Sequence, residues 1–340
     1  MKKILAALLA LTVLLGLVAC GPASPEGTAG TEEGTATGDE TTIRLMALKG
    51  PTGMGLASLL HNDKNGSGNR CDYDVELVTS AEISNIAAAI TKGECDVAAV
   101  PINLASTLYA KTGGQVQVLC ANTLGVLHLL ENGTTVNSIA DLRGKTVYAT
   151  GQGSTPEYIL RYVLEQNGLK PGTDLTLQFV ADHTELATYM ASNIYSIGVL
   201  PEPNVSVVLS SNPSFRAALD LTEEWNKVAG ADNTLIQGVF IARKAFVNEH
   251  KSLIADFLED YNASQTLVNT DKDKGAQYIV EAQILAAEPM AKKAIPGCNI
   301  TFLEGEAMKG GVKKCLQVLF DAAPASVGNA LPGDDFYFAR

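Results

Sequence analysis

The chain has 340 residues, 46% of them hydrophobic and only 6% aromatic, with 37 acidic against 25 basic side chains and a formal net charge of −12. An acidic balance without a basic stripe excludes nucleic acid as a partner and gives no attraction to anionic headgroups. The length suffices for two lobes of about 100–150 residues each.

In chain order, Met1–Ala19 reads as a leader: Lys2 and Lys3 form a charged start, Ile4–Leu15 an apolar stretch, and Leu17-Val18-Ala19-Cys20 a processing site. The apolar run is short for a bilayer crossing, which needs roughly 20 such residues. The tetrapeptide resembles the lipobox of bacterial lipoproteins, which implies lipid attachment at Cys20. Taking Lys2 and Lys3 away moves the charge from −12 to −14. Residues 20–42, which after Cys20 are all Gly, Pro, Ser, Thr, Ala and acids, read as a flexible tether.

From Thr42 the pattern alternates. It predicts strands near 43–48, 73–78, 95–100, 115–121, 146–150, 174–180, 195–200 and 215–219. Helices are predicted near 53–62, 81–92, 102–111, 156–167, 183–192 and 202–210. Such alternation signals sheets with parallel pairing and flanking helices. One more strand is expected at Thr234–Arg243, then helices at Phe246–Val268, Ala276–Lys293 and Met308–Phe320. A helical finish lacking its own strands would pack back on the first lobe. The chain would then cross between lobes near Asn122–His128 and again near Asn233–Gly238, and two crossings make a hinge.

Two strand–turn–helix units recur. One is Arg44–Leu60, with the turn Gly50-Pro51-Thr52-Gly53. The other is Lys145–Leu164, where Gly151-Gln152-Gly153-Ser154-Thr155 precedes Pro156. Glycines tighten such turns, Ser154 or Thr155 can cap, and proline suits the first helical turn. The free N–H groups of such a helix start suit an anionic or polar ligand. A second echo pairs Glu94–Tyr109 with Tyr195–Leu209: each strand is broken by proline (Pro101, Pro201) and followed by a polar residue (Asn103, Glu202).

Ligands in open α/β sheets collect beyond the carboxyl ends of strands. Those ends nominate Gly50, Pro51, Thr52, Ser80, Asn103, Asn122, Thr123, Gln152, Gly153, Ser154, Thr155 and Glu202 as ligand-binding residues. Glu202 either caps a helix or faces the cleft. In the cleft, a desolvated carboxylate would favour a cationic or N–H-bearing ligand, against the anion preference of the helix starts. His183 reads as a capping or surface residue and Trp225 as a cover for the core.

No catalytic constellation emerges. Gly144-Lys145-Thr146 imitates the end of a P-loop, but Ile139 stands where its first glycine belongs and Thr146 begins a strand. Glu157 and Glu185 stand near helix starts, where acids complement the dipole. The four histidines are scattered, and no cysteine spacing suggests a metal. Besides Cys20, five cysteines remain, an odd number; a Cys298–Cys315 bridge stays open. No enzyme, cofactor or metal is expected.

These features together resemble the substrate-binding lipoproteins of bacterial ABC importers, in particular the nitrate, sulfonate, taurine and thiamine-precursor group. The resemblance is carried by Cys20, Gly50-Pro51-Thr52-Gly53, Cys95–Pro101, Asp141–Val147 and Gly198–Pro203. It implies an α/β, two-lobe periplasmic-binding-protein-like fold of type II. Each lobe would be a mainly parallel sheet flanked by helices, with the C-terminal helices on lobe one. Lobe one would be 43–124 plus 236–340, and lobe two 125–235. It also implies a monomeric receptor, lipid-anchored on the extracytoplasmic face of the membrane, that closes over a small polar organic or oxyanion solute. Its partners would be an ABC permease and ATPase. The same scaffold also carries enzymes of thiamine-precursor synthesis and related lyases, and would suit a membrane-tethered solute sensor.

Overall fold

The computed structural model describes residues 41–230 and 234–340. The leader, Cys20 and the tether up to residue 40 lie outside the described residues, as does Asn233 of the second crossing.

The first half of the fold alternates as its sequence demands. β1 (Ile43–Leu48) leads to two short helices, α1 (Pro51–Gly55) and α2 (Ala57–Lys64), where one helix over 53–62 was expected. β2 (Tyr73–Val78), α3 (Ile83–Lys92), β3 (Val97–Pro101), α4 (Ile102–Lys111) and β4 (Val116–Leu124) follow. Gly93 stops α3 in the left-handed region, at φ 77°, which its missing Cβ allows. Two residues after β4 the chain enters β5 (Leu127–Asn132), then β6 (Thr146–Ala149), α5 (Thr155–Gln166), β7 (Thr176–Phe179) and α6 (His183–Ala191). β8 (Ile197–Pro201), α7 (Asn204–Ser211), β9 (Phe215–Asp220) and α8 (Leu221–Ala229) complete this part.

The chain returns through β10 (Ile236–Arg243) to α9 (Lys244–Glu249) and α10 (Lys251–Thr270). The single helix expected over 246–268 is therefore interrupted, at His250. α11 (Lys272–Glu281) and α12 (Glu288–Ala294) divide what reads as continuous over 276–293; β11 (Ile300–Leu303) and α13 (Gly305–Ala322) finish the fold.

The strands form two sheets, ordered β11-β4-β10-β3-β1-β2 and β7-β6-β8-β5-β9. Both are mixed. β1 pairs in parallel with β2 and β3, and β6 with β7 and β8. Most antiparallel pairs come from strands that enter at a crossing, β10 against β3 and β4, and β5 against β8 and β9; the short edge strand β11 adds one more against β4. A strand arriving from the other sheet starts at the cleft edge, so it runs opposite to strands that end there.

The two-lobe α/β architecture expected from sequence holds. In the first lobe one sheet face packs on α10, with Phe240 5.1 Å from Phe257 and 4.7 Å from Tyr261 between ring centres. The C-terminal helices pack mainly on this lobe, while α12 also touches α7 and α13 touches α5. Trp225 is fully buried, 5.1 Å from Tyr162, and covers the core of the second lobe as its sequence suggests. Cys71, Cys95, Cys120, Cys298 and Cys315 are all free. The bridge left open by sequence is absent: Cys298 lies against Met54 and Cys315 against the Ile236 carbonyl. No described helix is long and apolar enough to cross a membrane.

Candidate functional site

A chamber of about 90 Å³ lies between the two sheets. From the first come Leu48, Lys49, Gly50, Pro51 and Thr52 after β1, Val100 and Pro101 at the end of β3, Thr123 on β4, and Gln237 and Gly238 on β10. From the second come Val126, Pro156, His183, Pro201, Glu202 and Asn204. Its walls are therefore mostly apolar, with a few convergent polar groups, as small-solute sites usually are. A larger groove of about 730 Å³ shares Lys49, Gly50, His183 and Asn204 with it. This groove runs out past Thr79, Ser80 and Asp182 to α7 and the α11–α12 loop.

Of the residues nominated from sequence, Gly50, Pro51, Thr52, Thr123 and Glu202 line the chamber, and Ser80 lines the outer groove. Asn103 and Thr155 do something else. The Thr155 hydroxyl donates to Asn103 Oδ1 at 2.8 Å, and Asn103 Nδ2 donates to the Gly153 and Ser326 carbonyls at 3.3 and 3.4 Å. Both side chains are buried, so they strap α4 to the start of α5 rather than line the wall. Gln152 and Gly153 are exposed and Ser154 half-buried. Asn122 is wholly buried behind Thr123, whose hydroxyl it accepts at 2.9 Å, and its Nδ2 has no partner.

A second strap closes the outer side. The Ser80 hydroxyl donates to Asp182 Oδ2 at 3.0 Å, and the His183 N–H donates to Ser80 Oγ at 3.4 Å. Chain segments from both sheets are thus hydrogen-bonded across the cleft, while the chamber stays continuous with the outer groove.

The anion-ready helix start expected at residues 151–155 is not free. Ser154 occupies the cap position without a side-chain capping bond. Instead Glu157 reaches back and accepts the Gly153 N–H at 2.6 Å, while its other oxygen holds Arg161. Glu202 answers to both sequence readings. It is 7% exposed and lines the chamber, yet its oxygens accept the Ser206 N–H and hydroxyl, each at 3.0 Å, within the first turn of α7. Burial outweighs those two hydrogen bonds and pushes its carboxyl above the usual range.

His183, read from sequence as a capping or surface residue, is part of the chamber wall, with Nδ1 2.5 Å from the Thr150 hydroxyl. Desolvation pushes its imidazole down to about 4, so it is neutral at pH 7. Sequence reasoning also missed Gln237, whose Oε1 accepts the Val126 N–H at 2.6 Å across the two chain crossings. Among the described residues no cluster of His, Cys, Asp or Glu could hold a metal ion.

Two sheets linked by paired crossings around a shared chamber define the periplasmic-binding-protein class of fold. The chain belongs to the family described as "ABC transporter, phosphonate, periplasmic substrate-binding protein", whose model matches residues 68–291, about two thirds of its length. Solved structures agree on the fold. An ABC transporter protein from Parabacteroides distasonis is 22% identical, with a TM-score of 0.73, covering 88% of this chain and 99% of its own. The alkanesulfonate-binding protein SsuA from Xanthomonas axonopodis pv. citri, bound to MOPS, is 15% identical with a TM-score of 0.64, covering 86% and 94%. The periplasmic nitrate-binding protein NrtA from Synechocystis PCC 6803 is 13% identical with a TM-score of 0.60, covering 85% and 84%. No curated protein matches the chain by sequence.

Proposed function

We propose that this member of the substrate-binding family is a monomeric receptor on the extracytoplasmic face of the membrane. It would be lipid-anchored through Cys20 and carry a small polar organic or oxyanion solute to an ABC permease and its ATPase. The lobes are taken as 43–124 with 236–340, and 125–235, hinged at the two crossings. The solute lies against Gly50, Pro51, Thr52, Thr123 and Glu202. The remaining nominated groups, Ser80, Asn103, Asn122 and Gln152–Thr155, serve closure or the rim. The observation that carries this reading is the chamber walled from both sheets. A guest touching both walls gives the closed form contacts that the open form lacks, and the population shifts by that difference.

The test is a thermal-shift screen over sulfonates, phosphonates, nitrate, thiamine precursors, amines and amides, followed by small-angle scattering of the hits. A saturable ligand that raises the melting temperature and compacts the molecule is the expected result. A screen in which no class of solute does either removes the receptor reading.

A further inference from the structure

Oxyanions can be bound at free helix starts or by buried cations, and the second lobe offers neither. The first presents at the chamber the single turn of α1, whose first residue Pro51 has no N–H, and the start of α4, whose Asn103 N–H is taken by Thr155 Oγ1. Each of the second lobe's three helix starts nearest the cleft already has a carboxylate of this chain on an N–H in or just before the first turn. Glu157 takes the Gly153 N–H before α5; Asp182 takes the N–H groups of Thr184 and Glu185 at 2.7 and 3.4 Å in α6; Glu202 takes that of Ser206 in α7. Among the described residues the only lysine or arginine in the chamber wall is Lys49, and it is exposed.

What the wall does contain is the buried carboxylate of Glu202. It forms no ion pair among the described residues, and its two oxygens use only part of their accepting capacity on Ser206. The titratable groups around it are His128 from β5, Lys293 from α12, whose ammonium donates to Ser210 Oγ at 2.8 Å, and the Cys298 thiol.

Size adds a second constraint. The chamber's 90 Å³ holds a head of about four heavy atoms, scaling from the roughly 150 Å³ cavity that takes benzene. Anything longer must pass into the outer groove, where Val207, Val280, Ile284, Leu285 and Met290 make an apolar bed.

We propose that the part of the solute entering the chamber is a small neutral or cationic group that donates N–H to Glu202, that oxyanion heads are rejected, and that an apolar body extends along the outer groove. This rests on the receptor reading and narrows it to amine- or amide-headed solutes. Neutral His183 is consistent with it, since it brings no positive charge to an anion.

The experiment is calorimetry on the wild-type protein with four butyl compounds that differ only in the head: butan-1-amine, pentanamide, butane-1-sulfonate and butylphosphonate. The amine or the amide is expected to bind at least tenfold more tightly than either oxyanion, and octyl homologues more tightly still. Glu202→Gln should weaken the amine at least tenfold and leave the amide within about threefold. The wild-type ranking does not depend on that variant's folding. A sulfonate or phosphonate that binds best, or amine affinity unmoved by Glu202→Gln, overturns this inference and leaves the receptor reading intact. Binding of none of the four overturns it as well, and the broad screen above then decides the receptor reading separately.

Discussion

At the scale of single residues, His183 is the group whose environment makes the sharpest pH statement. Its imidazole titrates near 4 in the folded protein against an ordinary 6.5. The unfolded chain therefore binds more protons than the folded one between those values, and stability rises with pH across that window. Full acidification through it removes at most about 3 kcal/mol, from 1.36 kcal/mol per pKa unit. Two neighbours matter to the sign. Desolvation pushes Asp182 up, but hydrogen bonds from Thr184, Ser80 and Glu185 outweigh it and hold the carboxyl low, so its stabilisation is lost only below the window. Glu202, raised by burial, acts the other way and loses stability as pH rises. Urea unfolding at pH 4.5 and 7 should show a smaller loss on acidification for His183→Gln than for the wild type. Equal losses would mean that His183 is hydrated in the folded state. This histidine was legible only as a helix-start residue, because its desolvation comes from segments far off in the chain. Gln237 was hidden for a different reason. Carboxyl ends of strands nominate sites well where pairing is parallel, but β10 runs against β3 and β4 and meets the cleft with its amino end.

At the scale of elements, most strands and helices could be read from period and turn chemistry, because Gly and Pro mark their limits. β5 could not. Leu127–Asn132 continues the apolar run of β4 after only two residues, so two strands in different sheets look like one strand and a loop. α8 escaped because Leu221–Ala229 is short and more than half polar, with Leu221, Trp225 and Val228 as its large apolar anchors. β11 is four residues long and joins the first sheet only through β4. The strap between α4 and α5 is the element-level feature with a measurable consequence. Asn103→Ala removes the partner of the Thr155 hydroxyl and a donor to the Gly153 and Ser326 carbonyls, all around a buried position. Leaving buried polar groups unpaired costs about 1–3 kcal/mol. The variant should lose that much stability in urea unfolding and, because the strap spans the cleft, expand in solution scattering. Lost stability with no expansion would make the strap a local packing feature.

At the scale of the whole molecule, closure depends on how tightly the two crossings are held. The first is Gly125-Val126, between β4 and β5. It is fixed on three sides: Gln237 accepts the Val126 N–H, the Val126 carbonyl accepts the Glu202 N–H at 3.0 Å, and Asn299 donates to the Gly125 carbonyl. The chamber residues Gln237 and Glu202 are therefore bonded directly to the turning point, which couples the site to the hinge by contact. Gly125 is required there by space: a Cβ would stand 2.1 Å from Thr222 Oγ1 and 2.9 Å from its Cγ2, at the start of α8. Gly125→Ala must push the crossing away from α8, with an expected loss of about 1–3 kcal/mol as for other overpacked sites. The same shift would spread the chamber walls and weaken the bound solute about tenfold. Thr222→Ala removes the two nearest clashing atoms, so the double variant should recover most of both losses. The coupling between the two substitutions should then be of the 0.5–3 kcal/mol size found for residues in contact. Recovery of stability without recovery of affinity would separate packing at Thr222 from closure, and the hinge would then have to lie in the second crossing alone.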